Sequence, residues 1–86
     1  MTIIASDVNH GQYANSATFT AEKTSAFVSV SKDGRWNVCS LNASHRAWRG
    51  SGKFFASFDL ARAAYKSGEM KAILGAAKDA LTTVGS

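Results

Sequence analysis

The sequence predicts an α+β fold in which a three- or four-stranded antiparallel sheet is followed by two C-terminal helices packed on one face of the sheet. Three observations predict it: apolar residues alternate with period 2 in the first half, an Asp-Gly pair separates two such runs, and a helical periodicity occupies the C-terminal end. Strands that precede helices, rather than alternate with them, are typical of this class.

Length and composition indicate a single small globular domain. The chain has 86 residues, of which 45% are hydrophobic and 19% charged, far from the composition of disordered chains. Folding at this length hides only ~60% of the surface that the unfolded chain exposes, so one modest core is expected. We assign residues 16–86 to one α+β domain and residues 1–15 to a loop or loose arm, with a short edge strand as the alternative.

The first strand of the predicted sheet covers residues 16–24. Ala17, Phe19 and Ala21 alternate there with polar residues, which is the pattern of a strand with one buried face. We therefore expect these three side chains to belong to the core.

A hairpin follows, with strands over residues 26–31 and 35–41. Asp33 and Gly34 lie between them, and an Asp-Gly pair supplies the positive φ angles that a two-residue type I′ turn needs. The turn type matters because it sets the register, and a one-residue slip moves every side chain to the other face.

A two-residue loop would place Ser31 opposite Trp36. Phe27, Trp36 and Val38 then share the outer face, where the N-terminal segment covers them or they stay partly exposed and favour self-association. The other face is apolar apart from Asn37 and is assigned to the core. Its members are Ala26, Val28, Val30, Cys39 and Leu41.

Two more strands are expected before the helices. Residues 45–49 and 53–57 flank the sequence Gly-Ser-Gly at 50–52, which is typical of a turn. Five segments are thus candidate strands, and we expect three or four of them to form one meander.

Two helices complete the predicted fold. Ser57 is a suitable N-cap for a first helix over residues 58–66, and Gly68 is placed to stop that helix. The second helix begins near Glu69 and carries one apolar face at helical spacing. That face consists of Met70, Ile73, Leu74, Ala77, Leu81 and Val84.

Positive charge is concentrated in the middle of the chain. Ten Lys and Arg against six Asp and Glu give a net charge of +4 and a pI near 9.6. Between positions 35 and 66, six basic residues are accompanied by the single acid Asp59, a local balance of 6 minus 1, or +5. This distribution favours acidic or phosphate-bearing partners.

Cysteine usage and the first residues bear on the compartment. The single cysteine, Cys39, excludes an internal disulfide, and small domains of oxidising compartments are usually rich in disulfides. The first ten residues lack a basic segment and a long apolar stretch, and no run approaches the roughly 18 apolar residues of a membrane span. We therefore expect a cytoplasmic location and no membrane partner.

The sequence predicts no catalytic, cofactor or metal site. Residues 49–53 resemble a phosphate-binding loop, but Ala47 stands where that motif needs glycine and Phe54 where it needs Ser or Thr. Cys39 and His45 lack a nearby acid to orient the histidine, and the histidines and cysteine have no zinc-site spacing. An enzyme would need polar groups assembled from distant positions.

A series of basic and aromatic residues between positions 35 and 53 remains. Arginines on strands contact phosphates, and tryptophan and arginine are enriched among the anchors of protein interfaces. The alternative is a pair of tryptophans packed in the core beside solvated charges. The candidate partner-binding residues are Arg35, Trp36, Arg46, Trp48, Arg49 and Lys53.

Two resemblances bear on function. Residues 52–65, GKFFASFDLARAAY, resemble the final strand and helix of AP2-type and integrase arm-type DNA-binding domains, which would bring Arg35, Arg46 and Arg49 to a major groove. The chain also resembles in type the small single-domain proteins with which phages and plasmids block host defences, including anti-CRISPR proteins. The second resemblance implies an inhibitor bound to an acidic or apolar protein surface, or to nucleic acid.

We therefore predict a non-enzymatic binding protein, a phage or mobile-element accessory protein that binds and blocks a host protein or ribonucleoprotein complex through a basic and aromatic sheet surface. The alternative is a DNA- or RNA-binding domain that uses the same basic strip, with an affinity that falls steeply with salt. No cofactor is expected in either case, and a homodimer is compatible with both.

Overall fold

Within residues 2–41 and 52–82, which the computed structural model describes, five antiparallel strands are followed by two helices. This confirms the predicted α+β class, with one strand more than the upper expectation. The strands pair in sequential order as one meander. They are β1 (Ile4–His10), β2 (Ala14–Thr20), β3 (Ser25–Ser31), β4 (Trp36–Leu41) and β5 (Lys53–Phe55), and the helices are α1 (Phe58–Ala64) and α2 (Gly68–Thr82).

The loop between β3 and β4 contains three residues and not the predicted two. The Gly34 N–H donates to the Ser31 carbonyl oxygen at 3.0 Å, and the Ser31 N–H donates to the Arg35 carbonyl oxygen at 2.9 Å. Gly34 has a φ of 92°, a left-handed conformation that glycine adopts readily because it has no Cβ. A tight turn followed by a left-handed glycine is the common form of a three-residue hairpin loop.

This loop shifts the register of β3 and β4 by one residue relative to the prediction. Trp36 pairs with Val30, so its ring points to the buried face and only 2% of the residue is exposed. Val38 is buried on the same face. The prediction that placed Trp36 and Val38 on the outer face, and Cys39 and Leu41 in the core, was therefore wrong.

The core lies between the sheet and the two helices, which pack on the same face as predicted. α2 contacts β2 and β3, while α1 contacts β4 and β5. Trp36 of the sheet meets Phe58 of α1 with the ring centroids 5.2 Å apart. The buried apolar residues are Ala17, Phe19, Ala21, Ala26, Val28, Val30, Trp36, Val38, Ala61, Met70, Ile73, Leu74, Ala77 and Leu81.

Serine hydroxyls begin both helices. Ser57 accepts a hydrogen bond from the Leu60 N–H at 3.3 Å, which confirms the predicted N-cap of α1. Ser67 does the same for α2, where its Oγ accepts from the Met70 N–H at 3.4 Å. Gly68, which the sequence suggested as the stop of the first helix, is instead the first residue of α2. α1 ends two residues before the predicted position 66.

The N-terminal segment forms an edge strand, the alternative to a loose arm. Every residue of β1 is exposed, and the pairing with β2 is interrupted between Ser6 and Asn9. Asp7, inside this irregular stretch, has a φ of 53°, which aspartate tolerates better than most residues. A bulge and a charged side chain on an edge strand discourage further strands from pairing with it.

Hydrogen bonds of polar side chains attach both ends of α2 to the sheet and its turns. The Glu69 carboxylate accepts hydrogen bonds from the Lys23 N–H at 3.2 Å and from the Thr24 hydroxyl at 2.6 Å, in the turn between β2 and β3. At the other end, the Asn15 amide donates to the Leu81 carbonyl oxygen at 2.8 Å. That carbonyl lies in the last turn of the helix, where carbonyl oxygens have no N–H donor within the helix.

A matched pair of aromatic truncations tests the observed register. We expect Trp36→Ala to lower the free energy of unfolding by about 3–5 kcal/mol, because it empties a large buried site. Phe54→Ala, one strand away, is expected to change it by no more than about 0.5 kcal/mol, because the Phe54 ring is exposed. Urea denaturation followed by circular dichroism measures both. Equal effects of the two substitutions would contradict the register.

A second pair tests the attachment of α2 to the sheet. Glu69→Ala removes the acceptor of the Lys23 and Thr24 donors and is expected to cost about 1–2 kcal/mol of stability. Glu22→Ala removes an exposed acid from the same turn and is expected to change the free energy of unfolding by no more than about 0.5 kcal/mol. Urea denaturation again provides the measurement. A Glu69 variant as stable as the Glu22 variant would mean that the hydrogen bonds contribute nothing.

Candidate functional site: the outer face of the sheet

The face of the sheet opposite the helices carries mainly small polar side chains. Within the described residues, the buried apolar side chains and both helices lie on the other face. Thr18, Ser29 and Asn37 on this outer face are all half-buried, and Phe27 and Cys39 form an apolar pair across β3 and β4. We refer to this surface as the outer face.

The predicted partner-binding residues do not form one strip in the part of the chain that the structure describes. Arg35 is exposed beside the outer face, whereas Trp36 lies in the core. Lys53 pairs with Val38 and so lies on the helix side of the sheet, although it is exposed. The remaining three candidates, Arg46, Trp48 and Arg49, lie outside the described residues.

Two exposed rings that were not among the predicted partner-binding residues lie near Arg35. Phe54 pairs with Asn37 on the outer face and is 77% exposed, and Tyr13, in the turn before β2, is 78% exposed. Phe54 and Phe55 are adjacent in a short strand, so one of them had to face outward. The sequence did not say which, because the register of β5 depends on that of β4.

The two rings line adjoining depressions. The Phe54 hollow has a volume of about 320 Å³, and its lining residues are Ala14, Ser29, Ser31, Arg35, Asn37 and Phe54. The Tyr13 hollow has a volume of about 350 Å³, and its lining residues are Gln12, Tyr13, Ser31, Lys32, Asp33 and Arg35. Ser31 and Arg35 line both depressions, so Arg35 lies where the two depressions adjoin.

Backbone hydrogen bonds place the two turns beside each other. The Lys32 N–H donates to the Tyr13 carbonyl oxygen at 2.9 Å, which joins the β3–β4 turn to the β1–β2 turn. Within the latter, the Gly11 N–H donates to the Ala14 carbonyl oxygen at 2.9 Å. A Cβ at position 11 would lie 2.8 Å from that oxygen, so the turn that presents Tyr13 requires glycine.

Asp33 orients Arg35. The Arg35 Nε donates to Asp33 Oδ2 at 3.0 Å, and one terminal nitrogen lies 2.8 Å from the same oxygen. The Ser31 hydroxyl donates to the other carboxylate oxygen, Oδ1. These hydrogen bonds hold the pKa of the Asp33 carboxyl well below its ordinary value of 3.8, the arginine bond contributing most, and they raise the pKa of Arg35. The guanidinium is thus fixed in direction while 70% of its side chain stays exposed.

Asn37 contributes an amide to the Phe54 hollow. Its Oδ1 atom is buried and has no hydrogen-bond partner within residues 2–41 and 52–82. Buried amide oxygens are usually paired, because leaving one unpaired costs about 1–3 kcal/mol.

Neither a metal site, a membrane span nor a similarity to known proteins assigns a function to the described residues. Among the residues that the structure describes, no three His, Cys, Asp or Glu side chains gather as metal ligands would. Neither described helix has the length and apolarity needed to cross a membrane. Comparison with protein-family models, curated proteins and solved structures finds no match for this chain. A functional assignment therefore rests on the geometry of the outer face.

The stability that the Asp33–Arg35 pair contributes depends on pH. Because the folded-state pKa of Asp33 is depressed, its contribution to stability is fully present above about pH 4 and is lost as the pH falls through that lower pKa. In Arg35→Gln we expect the pKa of Asp33 to rise toward its ordinary value, as measured by carbon-13 NMR of the carboxyl group. Arg62→Gln, on an exposed helix position, serves as the control and should leave it unchanged. An equal pKa in all three proteins would contradict the pairing.

Proposed function

We propose that this chain is a non-enzymatic binding protein that attaches through its outer face to a host macromolecular complex handling nucleic acid and blocks that complex. Small accessory proteins of phages and mobile elements, anti-CRISPR proteins among them, act in this way and are of similar size. The observation that carries the proposal is the exposed Phe54 ring beside Arg35 on the outer face.

The physical argument concerns what such a surface is suited to do. A phenylalanine ring exposed to water gains from burial, and isolated cases are common on protein surfaces. Here a second exposed ring, Tyr13, and an oriented guanidinium from Arg35 adjoin it. Aromatic residues and arginine are the types enriched among interface anchors, because they bury large areas and offer directional hydrogen bonds.

Direct binding of DNA or RNA is the second candidate. The net charge of +4 and the concentration of basic residues between positions 35 and 66 favour phosphate-bearing partners. The succession of β5 and α1 over residues 53–64 is compatible with the resemblance to AP2-type and integrase arm-type domains. Against a major-groove mode, Arg35 is paired with Asp33 and lies beside a turn.

Capture of partners from host lysate, with and without nuclease, tests the proposal. We expect the tagged protein to retain a defined host complex after nuclease treatment, and Phe54→Ala to lose that complex. Leu60→Ala is the matched control, because Leu60 is 56% exposed on α1, which packs on the opposite side of the sheet. A combined Arg46, Trp48 and Arg49 alanine variant tests the candidates that lie outside the described residues.

Two outcomes would contradict the proposal. Equal capture by wild type, Phe54→Ala and Leu60→Ala would exclude the outer face as the binding surface. Recovery of nucleic acid alone, lost after nuclease or at high salt, would instead support the DNA- or RNA-binding candidate. Mass spectrometry and a nucleic-acid stain distinguish these results.

A further inference from the structure

We infer that the Phe54 and Tyr13 hollows bind one single-stranded nucleic acid, with a base stacked on each ring and a backbone phosphate between the two bases at Arg35. This inference rests on the proposed function, since it names the part of the host complex that the outer face contacts. The observations behind it are the two exposed rings, the presence of Arg35 in both linings and the net positive charge of those linings.

The rings provide the stacking surfaces. Phe54 and Tyr13 are each more than three-quarters exposed, and each lines a separate depression of base-binding size. Every base has a flat π face, so an exposed ring accepts any base once that base is unstacked from its neighbours. Bases inside a duplex are already stacked, and hence the surface selects single strands.

Arg35 can contact the backbone of a strand whose bases occupy both hollows. It is shared by both hollows, and two of its nitrogens contact Asp33. A guanidinium has five N–H donors, so the bonds to Asp33 leave donors for a phosphate oxygen while fixing the plane of the group. Lys32 also lines the Tyr13 hollow, and the charged residues of the two linings therefore sum to two positive charges against one negative.

The charge of the linings favours a phosphate-bearing ligand over an uncharged protein anchor. Their surface combines apolar area, on which a base can stack, with side chains that can form hydrogen bonds. Ser29, Ser31 and Asn37 line the Phe54 hollow, and none of the described residues around it carries a carboxylate. The hydroxyl groups of Ser29 and Ser31 can donate hydrogen bonds to the polar edge of a base or accept them from it.

Fluorescence anisotropy with short labelled oligonucleotides of mixed sequence, about eight nucleotides long, tests the inference. We expect single-stranded RNA or DNA to bind more tightly than a duplex of the same sequence. Phe54→Ala and Tyr13→Ala should each weaken binding by about 5- to 150-fold, the usual effect of removing one stacking ring. Phe54→Trp should restore affinity, Phe54→Leu should not, and Leu60→Ala should bind as the wild type does.

The salt dependence tests the role of Arg35 separately. Arg35→Gln is expected to reduce the slope of log K against log salt by about 0.7, the value for one phosphate contact on a single strand. The ring variants should leave that slope unchanged. Parallel RNA and DNA arms decide which of the two is preferred, since they differ in the 2′-hydroxyl group.

Other results would overturn the inference. Absence of oligonucleotide binding by the wild type would do so, as would unchanged affinity in both ring variants or preferred binding of the duplex. If a nuclease-resistant host complex is captured while no oligonucleotide binds, the proposed function stands and the outer face contacts protein. If oligonucleotides bind and no complex is captured, the nucleotide site stands and the inhibitor proposal fails.

Discussion

The three-residue loop between β3 and β4 is the constraint on which the rest of the structure depends. Gly34, with its positive φ, allows Ser31 to pair with Arg35 across the loop. This pairing fixes the register of β4 against β3, and β5 in turn takes its register from β4. Because side chains alternate between faces, one residue more or less in the loop would reverse the faces of both strands.

The same loop determines which residues of β4 point into the core and which lie on the outer face. It sends the Trp36 ring inward, where the ring meets Phe58 of α1, and it leaves Arg35 on the outer side. It also holds Asp33 against the Arg35 guanidinium at 2.8 Å. Packing in the core and orientation of the proposed phosphate contact therefore follow from one local conformation. A change that alters the loop length would affect stability and binding together.

The helical part of the fold was predictable because its signals are local. The apolar face of α2 repeats at helical spacing, and its members from Met70 to Leu81 are buried. Ser57 caps α1 because a serine before an apolar run offers its hydroxyl to the first free N–H groups. Gly68 was harder to interpret, since glycine is tolerated both after a helix and at a helix start, and the Ser67 cap settles which one applies.

The strand register was not predictable from the same kind of signal. An Asp-Gly pair suits a two-residue turn, yet the three-residue loop also needs glycine in its last position, so the dipeptide fits both. The apolar pattern did not decide between them either, because Val38 and Cys39 are neighbours and each can be assigned to a core face. β1 gave no strand signal, since all of its residues are exposed and no alternation is required.

Because the register of β3 and β4 was not predictable, the residues of the candidate site differ from those predicted from the sequence. Tryptophan was predicted as an anchor because it is enriched at protein interfaces. The register instead takes Trp36 into the core, where a small domain needs its large side chains. The exposed rings are then Phe54, which follows from the β4–β5 register, and Tyr13, which follows from the tight turn at Gly11. The binding surface of a sheet is formed by the alternate side chains that do not point into the core. These side chains can be identified only after the register of the strands is known.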